Sequence, residues 1–91
     1  MARVEDTFEV LNELGLHARP ATRIVQTAAR FRSEVVLERD GQSANAKSVM
    51  GVLLLLCPKG TRVVVRAEGD DAAETVAAIG ELFRSRFGES R

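Results

Sequence analysis

The sequence predicts an α+β fold, with one antiparallel four-stranded sheet carrying three helices on its apolar face in the order βαββαβα. Three observations predict it. Several short segments alternate polar and apolar residues, as half-buried strands do. Between them lie stretches whose apolar residues recur at helical spacing. Glycine, proline and Asp-Gly signals punctuate the boundaries.

Taken in order, Thr7-Phe8-Glu9-Val10-Leu11 reads as a first strand with Phe8 and Val10 inward. Asn12 to Leu16 reads as a loop in which Gly15 can take a turn conformation closed to other residues. From Ala21 the spacing changes to Ala21, Ile24, Val25, Ala28 and Phe31, a helical stripe, and Pro20 suits the first turn because its missing N–H is an orphan there anyway. Glu34 to Glu38 forms a second strand, and Asp40-Gly41 turns it into a polar third strand, Gln42 to Lys47, fit for a sheet edge. Ser48 is a good N-cap for a brief helix over Val49–Leu55, which Gly51 weakens. Pro58-Lys59-Gly60 precedes a fourth strand, Thr61 to Ala67, centred on Val63-Val64-Val65. Asp70-Asp71 is expected to cap the last helix, with Glu74 completing a capping box. Ala72, Val76, Ile79, Phe83 and Phe87 make its buried stripe, Arg84 and Arg86 complement its negative end, and Gly88 stops it.

The 91 residues suffice for one domain, 1–91, and 45% of them are hydrophobic, an ordinary globular composition. Thirteen basic and thirteen acidic residues cancel, so no global field favours nucleic acid or an anionic membrane. The absence of Trp and Tyr also argues against stacking on bases, which sets aside a small nucleic-acid-binding α/β domain. The N-terminus lacks the apolar core of a signal peptide, and the run Val49 to Cys57 is far short of the ~20 residues that span a bilayer. A cytoplasmic protein without membrane insertion is expected. The single cysteine, Cys57, forms neither an internal disulfide nor a metal cluster, and a buried thiol is its simplest reading.

His17 is the only histidine, at the junction of loop and first helix. The first N–H groups of a helix lack intrahelical partners, and the helix dipole adds partial positive charge there. A phosphate can be bound by such donors, here from Ala18 and Arg19. The same positive end disfavours imidazolium and helps keep His17 neutral and nucleophilic. Arg19 can offer charge-assisted hydrogen bonds to phosphoryl oxygens, and Arg23 extends the positive face one turn on. Phosphoryl transfer depends mainly on positioning and on stabilising charge over the equatorial oxygens. There is no Gly-rich nucleotide loop and no metal-ligand cluster, so the set suits a carrier better than a complete enzyme. A lone histidine taken by itself is more often structural.

The segment Gly15-Leu16-His17-Ala18-Arg19-Pro20-Ala21-Thr22 resembles the active-site signature of the HPr family, the histidine-containing phosphocarriers of the bacterial sugar phosphotransferase system. Asn45-Ala46-Lys47-Ser48-Val49-Met50-Gly51-Val52 resembles the family's second signature, around a regulatory serine, and Lys59-Gly60 and Ala67-Glu68-Gly69 also fall in register. The resemblance implies an open-faced β-sandwich. It implies that His17 accepts phosphate at Nδ1 from phosphorylated enzyme I and donates it to an enzyme IIA, assisted by Arg19, with no cofactor. It implies that Ser48 is the site modified by an HPr kinase/phosphatase, and that the working form is a monomer. By family register Val52 and Leu55 turn inward, leaving Val49, Met50, Leu53 and Leu54 outward as apolar docking surface beside Arg23. Leu14 stands where many relatives carry a small or polar residue, and Leu56 where they often carry glycine. A regulatory or nitrogen-branch carrier uncoupled from sugar uptake is the near alternative. A serine-phosphorylated adaptor is the alternative of another class, opposed by the intact segment Gly15–Pro20.

Overall fold

Alternation and helical spacing translate directly into elements. The structure is a computed structural model describing residues 2–90. Its elements are β1 (Arg3–Glu9), α1 (Ala18–Ala28), β2 (Glu34–Arg39), β3 (Gln42–Asn45), α2 (Val49–Leu54), β4 (Arg62–Glu68), α3 (Ala72–Arg84) and a 3₁₀ turn over Arg86–Gly88. The strands form one antiparallel sheet in the order β1-β4-β2-β3, with Phe8 opposite Val63 and Leu37 opposite Val65. Every other residue of β4 (Val63, Val65 and Ala67) is buried, because the side-chain period of a strand is two and one face lies under helices. Ile24 of α1, Val52 of α2, and Ile79 and Phe83 of α3 fill the same core from above. The polar β3 is an edge strand.

Several boundaries differ from the sequence reading. β1 starts at Arg3 rather than Thr7 and ends at Glu9. Val10 is fully buried as expected but lies beyond the ladder, donating its N–H to Thr61 O and accepting from Gly60 N. β3 stops at Asn45, since Ala46 pairs back to Val35 O and Ser48 N–H turns to Asn45 O. Phe87 is buried but is not part of α3; it belongs to the turn after Ser85.

The capping box at Asp71 does not form. Asp71 precedes α3, but its side chain makes no cap bond to the helix. Its carboxylate instead accepts from the N–H groups of Arg32 (2.9 Å) and Ser33 (3.0 Å) and from the Ser33 hydroxyl. Three donors from the α1–β2 connection outcompete a local cap that needs only one. They hold the carboxyl down at about 2, the Ser33 hydroxyl contributing most and the Arg32 N–H next. Ser48, by contrast, caps α2 as expected, its Oγ accepting from Gly51 N–H at 3.0 Å.

Candidate functional site

The loop before α1 is stitched to the segment after α2. Asn12, fully buried, donates through Nδ2 to Gly15 O (2.8 Å), and Gly15 N–H returns to Asn12 O. Gly15 has φ +69°, and a β-carbon there would sit 2.5 Å from Cys57 O and 2.9 Å from Pro58 Cα, so position 15 requires glycine. Leu16 then donates its N–H to Cys57 O (2.9 Å) and buries its side chain. With Leu16 pinned inward, His17 is delivered to the rim.

His17 is the N-cap of α1, in extended conformation (φ −74°, ψ −171°), and its carbonyl accepts from Ala21 N–H. Its ring makes no cap bond, so the first N–H groups of the helix, those of Ala18 and Arg19, take no bond from the N-cap side chain. Pro20 has no N–H to offer and is buried. The ring is about one-third exposed, and Nε2 lies 2.7 Å from Glu89 Oε2. An ionised carboxylate only accepts, so in the neutral ring the proton belongs on Nε2 and the lone pair on Nδ1. Nδ1 has no partner among the described residues and is not buried. The nitrogen that carries the lone pair is therefore unpartnered at the positive end of a helix.

Glu89 is placed by its surroundings. Arg86 and Phe87 both take φ +56° and Gly88 φ +76°, a left-handed turn that costs roughly 1–2 kcal/mol at each non-glycine residue. Burial of Phe87, whose ring meets Phe83 edge-on at 5.0 Å, offsets that cost. Gly88 rides over the Arg23 guanidinium, 3.3 Å from where a β-carbon would sit. Glu89 Oε1 accepts from Asn12 Nδ2 at 2.9 Å. Desolvation pushes the Glu89 carboxyl up, but the bonds from Asn12 and His17 and the field of Arg19 outweigh it and hold it below the ordinary range.

Arg19 is exposed and borders a surface cleft together with Glu13, Leu14 and Glu89. Arg23 is also exposed, under the C-terminal turn. Beyond His17 an apolar groove runs over Leu14, Leu53, Leu56 and Pro58. Met50 (64%), Leu54 (67%), Leu14 (73%) and Leu56 (72%) are strongly exposed for apolar residues. Val49 and Leu53 are a correction to the outward reading: both are half-buried and pack on the core, because a single-turn-and-a-half helix cannot present four residues to solvent and still bury Val52 and Leu55. Leu56 has φ +54°, a conformation natural to glycine. Cys57 is buried, burial raising its thiol against the opposing pull of Arg39.

His17, Ala18 and Arg19 stand together at the start of α1 by sequence adjacency, whereas Glu89 and Asn12 join them only through the fold. The Asn12–Gly15 turn has a local signal; Glu89, 72 residues from its partner, has none.

The family model described as the phosphotransferase-system HPr component phosphorylation site matches residues 4–85. A phosphocarrier protein HPr of Xylella fastidiosa (strain Temecula1) is 44% identical over 86 residues, covering 94% of this chain and 97% of its own length. Crystalline HPr-C-His of Thermoanaerobacter tengcongensis superposes with a TM-score of 0.93 at 45% identity, over 97% of this chain and 99% of that one. An HPr dimer from the same organism gives 0.77 at 47% identity, over 89% and 93%. With a family match across nearly its whole length and the same open-faced sandwich, this chain belongs to the HPr family of phosphocarrier proteins of the phosphotransferase system.

Proposed function

We propose that His17 takes a phosphoryl group on Nδ1 from phosphorylated enzyme I and passes it to an enzyme IIA of the sugar phosphotransferase system. The observation that carries this reading is the free Nδ1 of His17 at the N-terminus of α1, with Nε2 engaged by Glu89. The lone pair on Nδ1 attacks phosphorus while the donor's P–N bond breaks toward the donor. Ala18 and Arg19 N–H groups and the Arg19 guanidinium receive the charge spread over the equatorial oxygens. The site is open and shallow, which suits partners that bring the second reacting group with them; the chain is then a carrier and not a complete enzyme. We assign the working form as a cytoplasmic monomer, in which the groove beside His17 is left for those partners.

Ser48 is proposed as a regulatory phosphorylation site for an HPr kinase/phosphatase. Support comes from its place at the start of α2, where a phosphate is electrostatically tolerated, next to exposed Met50.

Incubation with enzyme I and phosphoenolpyruvate, followed by intact mass, tests the main reading. One acid-labile, alkali-stable phosphoryl group is expected, and none on His17→Ala. Full labelling of the His17→Ala protein would sink the assignment.

A further inference from the structure

The segment that carries Glu89 to His17 is held from three sides. Phe87 anchors the turn in the core, Gly88 passes over Arg23, and Asn12 Nδ2 fixes the other carboxylate oxygen at 2.9 Å. The Glu89 side chain is 13% exposed, less than the histidine it bonds.

We propose that Glu89 is the positioning residue of the phosphocarrier site: it keeps the proton of His17 on Nε2 before, during and after phosphorylation of Nδ1. The proposal rests on the reading of His17 as the phosphoryl acceptor. When Nδ1 of the neutral ring forms its bond to phosphorus, the donor's P–N electron pair returns to the donor. His17 then becomes a phosphoimidazolium, still protonated on Nε2 and carrying a positive charge that the ring did not have before. Glu89 stands 2.7 Å from that charge and compensates it without taking the proton. In the onward step the P–N pair returns to Nδ1 and the ring leaves as neutral imidazole. Had Nε2 lost its proton, the leaving group would be an imidazolide anion, far poorer. A carboxylate on the far nitrogen thus keeps the phosphoryl group transferable, as the aspartate behind a catalytic histidine holds its tautomer and stabilises its charge.

Among the described residues, the other charged or titratable groups around the site are Arg19 and Arg23 from α1, Glu13 from the preceding loop and the Cys57 thiol from the segment after α2. The arginines oppose a proton on the ring. Among the described residues only Glu89 hydrogen-bonds it.

The test uses the full chain loaded chemically with phosphoramidate, so that it stands whether or not enzyme I recognises the protein. Wild type, Glu89→Gln and Glu89→Ala are compared for the pH dependence of phosphohistidine breakdown. The rise in lability on acidification is expected to move to lower pH by about one unit in both variants, a tenfold loss of preference for the protonated ring. Nitrogen-15 spectra of the unphosphorylated protein should show the Nε2–H tautomer in wild type and a mixture in Glu89→Ala. Coincident pH profiles in all three proteins, or a wild-type ring protonated on Nδ1, would overturn the proposal. Melting temperatures are expected to fall slightly, through loss of the carboxylate's bonds to Asn12 and His17, and a variant that does not fold is replaced by Glu89→Asp, whose shorter side chain should give the same profile shift.

Discussion

The ring of Phe8 occupies the space that a β-carbon on Gly80 would need. Phe8 stacks on Phe83 at 5.6 Å between centroids, and Arg84 covers it from the next position. Helix α3 can approach β1 this closely only because residue 80 presents bare backbone.

Gly80→Ala should therefore destabilise the protein, although alanine is the better helix former by about 1 kcal/mol. Overpacking of roughly 1–3 kcal/mol outweighs that gain, because the obstructing atoms belong to a buried aromatic ring. A melting temperature lower by several degrees is expected, by thermal denaturation followed at 222 nm. A rise would show that the ring yields freely.

Asp71 makes a prediction about acid. Its folded carboxyl lies at about 2, below its ordinary 3.8, so it contributes stability that is complete above the ordinary value and is lost as pH falls toward about 2. Glu89, also held low, contributes with the same sign. Asp71→Asn removes the first contribution and leaves the second. Urea denaturation at a series of pH values should give a shallower decline for Asp71→Asn than for wild type across that interval. Parallel curves would mean that the three donors do not hold the carboxylate.

These two residues also show what was legible in the sequence. Phe8, Val63, Val65 and the α3 stripe declare themselves by period, because burial on one face leaves a repeating mark at distances of two to four residues. Asp71 carried a local signal, aspartate followed by Glu74, that a distant set of donors overrode. Nothing near Asp71 reveals that Ser33, 38 residues away, competes for its carboxylate. His17 was legible through its motif, while Glu89 was not, since a polar residue after Gly88 has no pattern to join. Contacts made once, across the fold, leave no periodic trace.

Arg19 is predicted to assist transfer without stabilising the fold. Its side chain is exposed and has no salt bridge among the described residues, so Arg19→Ala should leave the melting temperature nearly unchanged. Phosphoryl exchange with enzyme I should slow at least about tenfold, or roughly 1.4 kcal/mol of transition-state stabilisation. Arg19→Lys should recover only part, since lysine lacks the planar fork that matches phosphoryl oxygens. Rapid-quench exchange rates decide it, and unchanged rates in both variants would remove Arg19 from the mechanism.

The last prediction joins the two signatures through the surface between them. The apolar groove beside His17 runs over Leu53 and Leu56 of the α2 region, and Met50 and Ser48 lie at the start of the same helix. On the proposed reading a partner that reaches Nδ1 covers that groove, where Leu14 and Leu56 are exposed and Leu53 is half-buried. Leu56 also carries a cost, a left-handed backbone that glycine would adopt freely. A phosphate on Ser48 adds roughly two negative charges there, and a docking partner would have to desolvate them. Ser48→Asp keeps a good N-cap, and a helix N-terminus tolerates the charge, so its melting temperature should stay near wild type. Met50→Asp changes a side chain that is already in solvent and should also fold normally. Both should accept phosphate from enzyme I more slowly at limiting carrier concentration, while chemical phosphorylation of His17 by phosphoramidate stays at the wild-type rate. If enzyme I labels both variants as efficiently as wild type, the docking face lies elsewhere, even with His17 correctly assigned.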